Sequence, residues 1–375
     1  MQAIRGETFV NILIRADASV FIGSGHIMRC LTLADELRAR GAEITFICRD
    51  WEGNLQRHIE SKGYFCVMLE RPSEASVEPK NDYAAWLGAS KRRDVEETLA
   101  AIEKRIGRKT VDWCVTDHYG IDAEWQGALR SKARRSMAID DIANRDNDCD
   151  LLLDQNLYDN PEQRYQSRIP PHCRLLLGPD YALLRPEFRE ARARLGKKLL
   201  RGGVIQRIMV FFGGSDQSNE TAKAVKALQM LNRNDGESDI IVGVAMPRRA
   251  ENEDLCADSP NIHFHCQVPN MADFMIQADL ALGAGGSTTW ERCCLGLPTL
   301  AVIIAENQAE MTETAARRGL QWSLGYAEAL EVKDIAAALR ARFEDAEALA
   351  ARSLAVYSVV DGFGASRAAD MITTS

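Results

Sequence analysis

The stretch NILIRADASVFIGSGHIMRCLTLADELRARGAEITFICRD, residues 11–50, decides the fold. Its first run, NILIRAD, is short and apolar. Its middle, GHIMRCLTLADELRAR, repeats apolar residues at helical spacing, and its end, ITFICRD, is apolar again. A strand, a helix and a second strand at this spacing make a crossover unit, and crossover units build a parallel sheet covered by helices. Between the first strand and the helix stand Gly23, Gly25 and His26. Glycines let backbone amides approach a ligand closely, and the following helix points its unpaired N–H groups and positive dipole end the same way, which makes an anion site. A positive helix end also favours the uncharged form of an imidazole, the form that accepts a proton. On the residues alone His26 therefore reads either as a base or as a helix-start hydrogen-bond partner.

The same alternation continues with NLQRHIESKG, WCVTDHYG, AEWQGALRSKA and RRSMAIDD. It restarts after the basic connector RLGKKLLRGGVIQ with RIMVFFGGSD, TAKAVKALQMLNR, DIIVGVAM, NIHFHCQ, DLALGAGGS, TTWERCCLG and PTLAVII. The expected fold class is α/β, with two Rossmann-like domains whose parallel sheets face a central cleft. The expected boundaries are residues 1–198 and 199–345, followed by an Ala-rich helical segment, 346–375, packing back on the first domain. Ligand sites in such sheets lie at the carboxyl ends of strands, so the cleft is the expected active site.

A chain of 375 residues exceeds one core of ordinary size, which agrees with two domains. With 46% hydrophobic and 27% charged residues and no long apolar run, it reads as a globular protein without a membrane span. The start MQAIRGETFVNILIRAD lacks the pattern of a secretory signal, which points to the cytoplasm. Ten cysteines without metal-type spacing read as reduced thiols. The net charge of -8 comes without a basic tract, which argues against nucleic acid as partner and requires any anionic ligand to be held locally. No periodic apolar surface indicates an oligomeric state.

Two further glycine loops follow strands in the second half. FFGGSDQSNET carries Gly213, Gly214 and Ser215, and LGAGGSTTWERCC carries Gly286, Ser287 and, one turn into a helix, Glu291. Each loop taken alone is also ordinary turn and cap chemistry. Neither has the Walker lysine pattern, nor the compact G-x-G-x-x-G with an acidic ribose ligand of a dinucleotide site. A phosphate-bearing ligand bound without a metal fits better, with Glu291 placed to accept ribose hydroxyls. Asp117, Asp140 and Asp141 follow strands and read either as turn caps or as divalent-cation ligands. His263 and His265 share one face of a strand but lack a third zinc ligand.

GAGGSTTWE resembles the glycine-rich, glutamate-bearing segment of GT-B-fold enzymes that bind UDP-sugars, the MurG-like glycosyltransferases among them. RADASVFIGSGHIMRCLTLA, with TDHYGID, CDLLLDQN, GPDYALLRPEF and ENQ, resembles more specifically the UDP-sugar hydrolases of the pseudaminic acid pathway. Those enzymes release UDP from UDP-2,4-diacetamido-2,4,6-trideoxy-β-L-altrose. The resemblance runs in order from about residue 11 to about residue 325, and the stretch around Arg71 to Arg93 has no counterpart in it. It implies a GT-B fold, a UDP-sugar and water as partners, and no cofactor. It places the base at His26, and substrate-facing groups at Tyr119 and Arg185. The ribose ligand falls on Glu291, diphosphate contacts on Gly213, Gly214, Ser215, Gly286 and Ser287, uracil contacts on Val268 and Met271, and a polar pair near sugar and phosphate on Asn307 and Gln308. Asp17 is expected either to orient the imidazole or to bind the sugar, and Arg15 or Arg29 to offset charge. UDP leaves as a stable anion, so one base without a general acid suffices, and attack opposite UDP inverts the anomeric configuration. The rival readings are a glycosyltransferase, a sugar-nucleotide 2-epimerase, and a catalytically silent UDP-sugar-binding protein.

Overall fold

β-branched and aliphatic residues in short runs, separated by amphipathic segments, produce two parallel sheets. The computed structural model describes residues 10–71, 83–107, 110–195, 201, 203–233 and 235–374. These residues divide into two compact units. One takes the chain up to Gln155, Asn160–Leu183 and everything from Ala365; the other takes Asn156–Asp159 and Leu184–Gly364.

The first unit holds β1 (Asn11–Ala16), β2 (Glu43–Arg49), β3 (Phe65–Leu69), β4 (Val111–Asp117), β5 (Ala133–Ile139), β6 (Leu151–Asp154) and β7 (Arg174–Leu177), in the order β3-β2-β1-β4-β5-β6-β7. Every pairing is parallel. Alternation along β1 sends Ile12, Ile14 and Ala16 into one core with Ile27, Cys30, Leu33 and Leu37 of the helix Gly25–Ala39. Leu13 points to the opposite face, where it packs with Ala101, Ile102, Trp125 and Leu129. Both faces of the sheet are covered, as a parallel sheet requires.

The second unit holds β8 (Arg207–Phe211), β9 (Glu237–Val242), β10 (Ile262–Cys266), β11 (Leu280–Ala284), β12 (Thr299–Ile303) and β13 (Trp322–Tyr326), in the order β10-β9-β8-β11-β12-β13, again parallel throughout. In each unit the strand order reverses direction beside the first strand, between β1 and β4 and between β8 and β11. Loops at the carboxyl ends of such a strand pair diverge and leave room for a ligand.

The expected boundaries need correction. The helix Pro186–Leu195 belongs to the second unit, because it buries Phe188 and Ala191 there and Arg192 donates to the carbonyl of Cys294 at 2.7 Å. The Ala-rich end also divides. The helix Ala346–Tyr357 packs Leu349 into the second core, and its Ser353 hydroxyl donates to the Gly296 carbonyl at 2.6 Å. The helix Gly364–Thr373 instead buries Ala365, Ala368, Ala369 and Ile372 in the first core, a spacing of one helical stripe. Arg40 holds it from outside through Asp370 (2.9 Å) and Ser366 (2.7 Å). No helix among the described residues is long and apolar enough to cross a membrane.

Candidate active site

His26 is the second residue of the helix after β1, and Arg29 and Cys30 stand one turn further on the same face. All three address one carboxylate. Asp117 ends β4, the strand beside β1, and is fully buried. His26 Nδ1 lies 2.6 Å from Asp117 Oδ1; Arg29 donates from Nε to Oδ2 and from Nη2 to Oδ1, both at 2.6 Å; the Cys30 thiol donates to Oδ2 at 3.5 Å. Arg29 Nη1 reaches Asp141, just after β5, at 2.8 Å, and the Tyr119 hydroxyl donates to the other oxygen of Asp141 at 2.5 Å.

Burial alone would raise the Asp117 pKa, but the Arg29 guanidinium and His26 outweigh it and hold the carboxyl well below the ordinary range. Asp141 is held low in the same way by Arg29, against its burial. An ionised carboxylate only accepts and a guanidinium only donates, so the hydrogen between His26 and Asp117 sits on Nδ1. Arg29 Nη2, 3.2 Å from Nδ1, is then a neighbour and not a donor to it. Nε2 of a neutral His26 carries the lone pair. Burial, with Asp141 beside it, pushes the Tyr119 phenol well up, so it stays protonated and keeps donating. The Tyr119 ring stands edge-on to His26 with centroids 4.7 Å apart.

Two expected members of the site are elsewhere. Arg15 shares the alternation of Leu13 and so points to the face opposite the helix of His26. It is fully buried and bonds Asp17 (2.6 Å) and Asp94 (2.9 Å). Asp17 also accepts from the Arg49 amide at 2.6 Å and lies 3.3 Å from His118, with no bond to His26. Burial works against ionisation of Asp17, yet Arg15 and His118 keep it well below its ordinary value. Arg49 joins Asp94 to Glu97 at 2.7 Å each, and Trp125 Nε1 donates to Asp94 at 2.8 Å. This network ties the helix Lys91–Ile106 to the sheet. Gly23 is not an amide donor to a ligand either: it turns the chain at φ +81° and its N–H goes to the Ser19 carbonyl at 2.9 Å. Gly25 stays exposed at the helix start.

In the second unit the two glycine loops lie side by side, since β8 pairs β11. Gly213 takes φ +99°, and a Cβ on Gly243 would come within 2.2 Å of the Gly214 carbonyl oxygen. Ser215 is half-buried, while Asp216 accepts from the amides of Glu220 (3.0 Å) and Thr221 (2.8 Å), anchoring the next helix. A Cβ on Gly285 would stand 2.0 Å from Thr312 Oγ1, and one on Gly286 would stand 3.2 Å from Gln308 Nε2, so Gln308 rests against this loop. Ser287 and Asn307 are exposed. Glu291 is half-buried; burial raises its pKa, and Glu187 adds to this, while Arg185 opposes it from 3.7 Å. Arg185 also meets Glu187 at 3.1 Å. Val268 and Met271 are half-buried on the loop and helix start after β10.

Of the alternatives for the strand-end aspartates, Asp117 and Asp141 are committed to Arg29, and Asp140 meets Arg145 at 3.1 Å. His263 and His265 pair with Glu237 (2.5 Å) and Asp239 (2.9 Å). The pairing of Asp117 with His26 is the feature of the candidate site that sequence reasoning misses. Its signal lies in the order of strands: the fourth strand of a crossover sheet lies beside the first, and Asp117 closes it.

Residues 208–371 match the glycosyltransferase family 28 C-terminal domain. The chain is 25% identical over 306 residues to an uncharacterized protein of Methanocaldococcus jannaschii, covering 80% of this chain and 57% of that longer protein. It is 25% identical to the spore coat polysaccharide biosynthesis protein SpsG of Bacillus subtilis, over 85% of each chain. It is 23% identical to the UDP-2,4-diacetamido-2,4,6-trideoxy-beta-L-altropyranose hydrolase of Campylobacter jejuni, over 84% of this chain and all of that one. Among solved structures, MurG of Acinetobacter baumannii superposes with a TM-score of 0.63 over 97% of this chain and 99% of that one, at 12% identity. The chain thus has the GT-B fold seen in MurG, and its second half matches the glycosyltransferase family 28 C-terminal domain.

Proposed function

We propose that this chain hydrolyses a UDP-linked sugar of the 2,4-diacetamido-2,4,6-trideoxy class to UDP and the free sugar. The carrying observation is the commitment of His26 Nδ1 to Asp117 at 2.6 Å, which leaves Nε2 to take a proton. Similarity to the Campylobacter jejuni hydrolase along that protein's whole length supports the choice of substrate. In the proposed step Nε2 accepts a proton from water as the water oxygen bonds to the anomeric carbon. The bond from that carbon to the β-phosphate oxygen breaks, its electron pair leaves with UDP, and the configuration inverts. Asp117 keeps the imidazole in the right tautomer and stabilises the imidazolium that forms. UDP is already a stable anion, so backbone amides suffice to assist its departure.

The second unit is assigned the nucleotide. Glu291 takes the ribose hydroxyls beside Arg185, the Gly213–Gly214–Ser215 and Gly286–Ser287 turns take the phosphates, Val268 and Met271 flank uracil, and Asn307 and Gln308 take polar groups of sugar and phosphate. Tyr119 walls the base in the first unit.

The test is incubation of chelator-treated protein with the UDP-sugar in water without acceptor, followed by proton NMR. Wild type releases UDP and a free sugar whose first anomer is inverted, and His26→Ala loses turnover while binding UDP. The family 28 match favours one other reading, a glycosyltransferase. UDP binding without turnover in water would move the assignment there.

A further inference from the structure

The stretch Arg71 to Arg93 has no role in the proposed reaction, and its residues 72–82 lie outside the described residues. Directly after them comes a single 3₁₀ turn, Tyr83–Leu87, built against the site. Leu87 is fully buried in the core beneath the sheet. Trp51 Nε1 donates to the Trp86 carbonyl at 3.2 Å. The turn rests on Gly120, where a Cβ would stand 2.8 Å from the Tyr83 carbonyl oxygen and 3.0 Å from Leu87 Cγ, so only glycine fits directly after Tyr119.

This seating aims two half-buried rings at the base. Trp86 stacks on Tyr119 at 5.3 Å and 29°, and meets His26 edge-on at 6.2 Å. Tyr83 stands edge-on to Trp86 (5.0 Å) and to Tyr119 (4.9 Å). The Tyr119 hydroxyl, the polar end of the innermost ring, is already given to Asp141. His26 thus sits against a wall of rings. A sugar hydroxyl pressed on the ring faces of this wall loses water without gaining a partner, whereas methyl groups and sugar C–H faces pack on them favourably.

We infer that Trp86, with Tyr83 and Tyr119, is a specificity-determining residue that selects sugars bearing methyl groups, as a deoxy carbon or N-acetyl groups, over fully hydroxylated ones. The inference rests on the UDP-sugar reading and names the part of the site that reads the sugar.

Calorimetric titration of the full chain with UDP, UDP-glucose and UDP-2,4-diacetamido-2,4,6-trideoxy-β-L-altrose tests it, with His26→Ala as the common background so that no sugar is turned over and wild type denoting residues 83 and 86 unchanged. Wild type should bind the diacetamido compound at least about tenfold more tightly than UDP-glucose, the scale of one good aromatic contact. Trp86→Ala should lose that preference with UDP affinity unchanged, and Trp86→Phe should keep most of it. Tyr83→Ala, on the same turn, should move in the same direction. Equal weakening of all three ligands by Trp86→Ala would make the residue structural and overturn the inference, as would an unchanged preference. A wild type that binds UDP but does not discriminate between the sugars would sink this inference alone. A wild type that binds none of the three would remove the UDP-sugar reading and this inference with it.

Discussion

Replacing Asp117 by Asn tests the His26 assignment most directly. The substitution keeps shape and removes one charge. A carboxylate and an imidazolium joined by a 2.6 Å hydrogen bond have charge centres about 4 Å apart, and at an effective dielectric of about 20 they interact by about 4 kcal/mol. That interaction exists only when His26 has taken its proton, so its loss falls on the transition state and lowers kcat by about a thousandfold. The amide can also donate to Nδ1 and present the wrong tautomer, which acts in the same direction. Arg29 keeps its bond to Asp141 at 2.8 Å and remains partly paired, but losing its main partner in a buried site should cost about 3–5 kcal/mol of stability. Single-turnover UDP release, UDP affinity by calorimetry and urea unfolding separate these effects. If kcat of the folded variant stays within tenfold of wild type, or if UDP affinity falls in proportion to kcat, the dyad is not the base.

Asp17→Asn should behave differently: a loss of about 3–5 kcal/mol in urea unfolding at pH 7, with kcat of the folded protein unchanged. The folded-state pKa of Asp17 lies below its unfolded value, so its contribution is present above about pH 4 and is lost as pH falls. The stability gap between wild type and this variant should therefore narrow below about pH 4, and a gap that persists there would refute the ion-pair account. Glu291→Gln should weaken UDP binding by about 1.5–3 kcal/mol, the range of hydrogen bonds to a charged group, and raise KM with kcat little changed. Burial holds the Glu291 pKa above its ordinary value, so wild-type UDP affinity should decline more steeply than that of the variant as pH falls toward the carboxylate range, the part common to both coming from the UDP phosphate itself.

Much of this protein was legible in its sequence. Local periodicity alone separated NILIRAD from GHIMRCLTLADELRAR, and a parallel sheet follows once strands and helices alternate. Glycine after a strand marks a tight turn whatever surrounds it, as Gly213 at φ +99° does. The position of His26 at a helix start was local in the same sense.

Only the tertiary structure decided which carboxylate serves that histidine. Asp17 directly follows β1 and Asp117 closes β4, and nothing in the local pattern separates them. Sheet order and side-chain alternation do: β4 lies beside β1, Asp117 meets Arg29 and His26 on the face covered by the helix Gly25–Ala39, and Arg15 draws Asp17 into the network on the other face. The same holds for Trp86, brought to the base from a segment without local pattern by a contact that requires glycine at 120, and for Ala365 to Ile372, which return to the first core after the whole second unit. Sequence sets what each segment can bury, because that depends on its own spacing. Which charges neutralise one another depends on neighbours distant along the chain, and only folding brings them within reach.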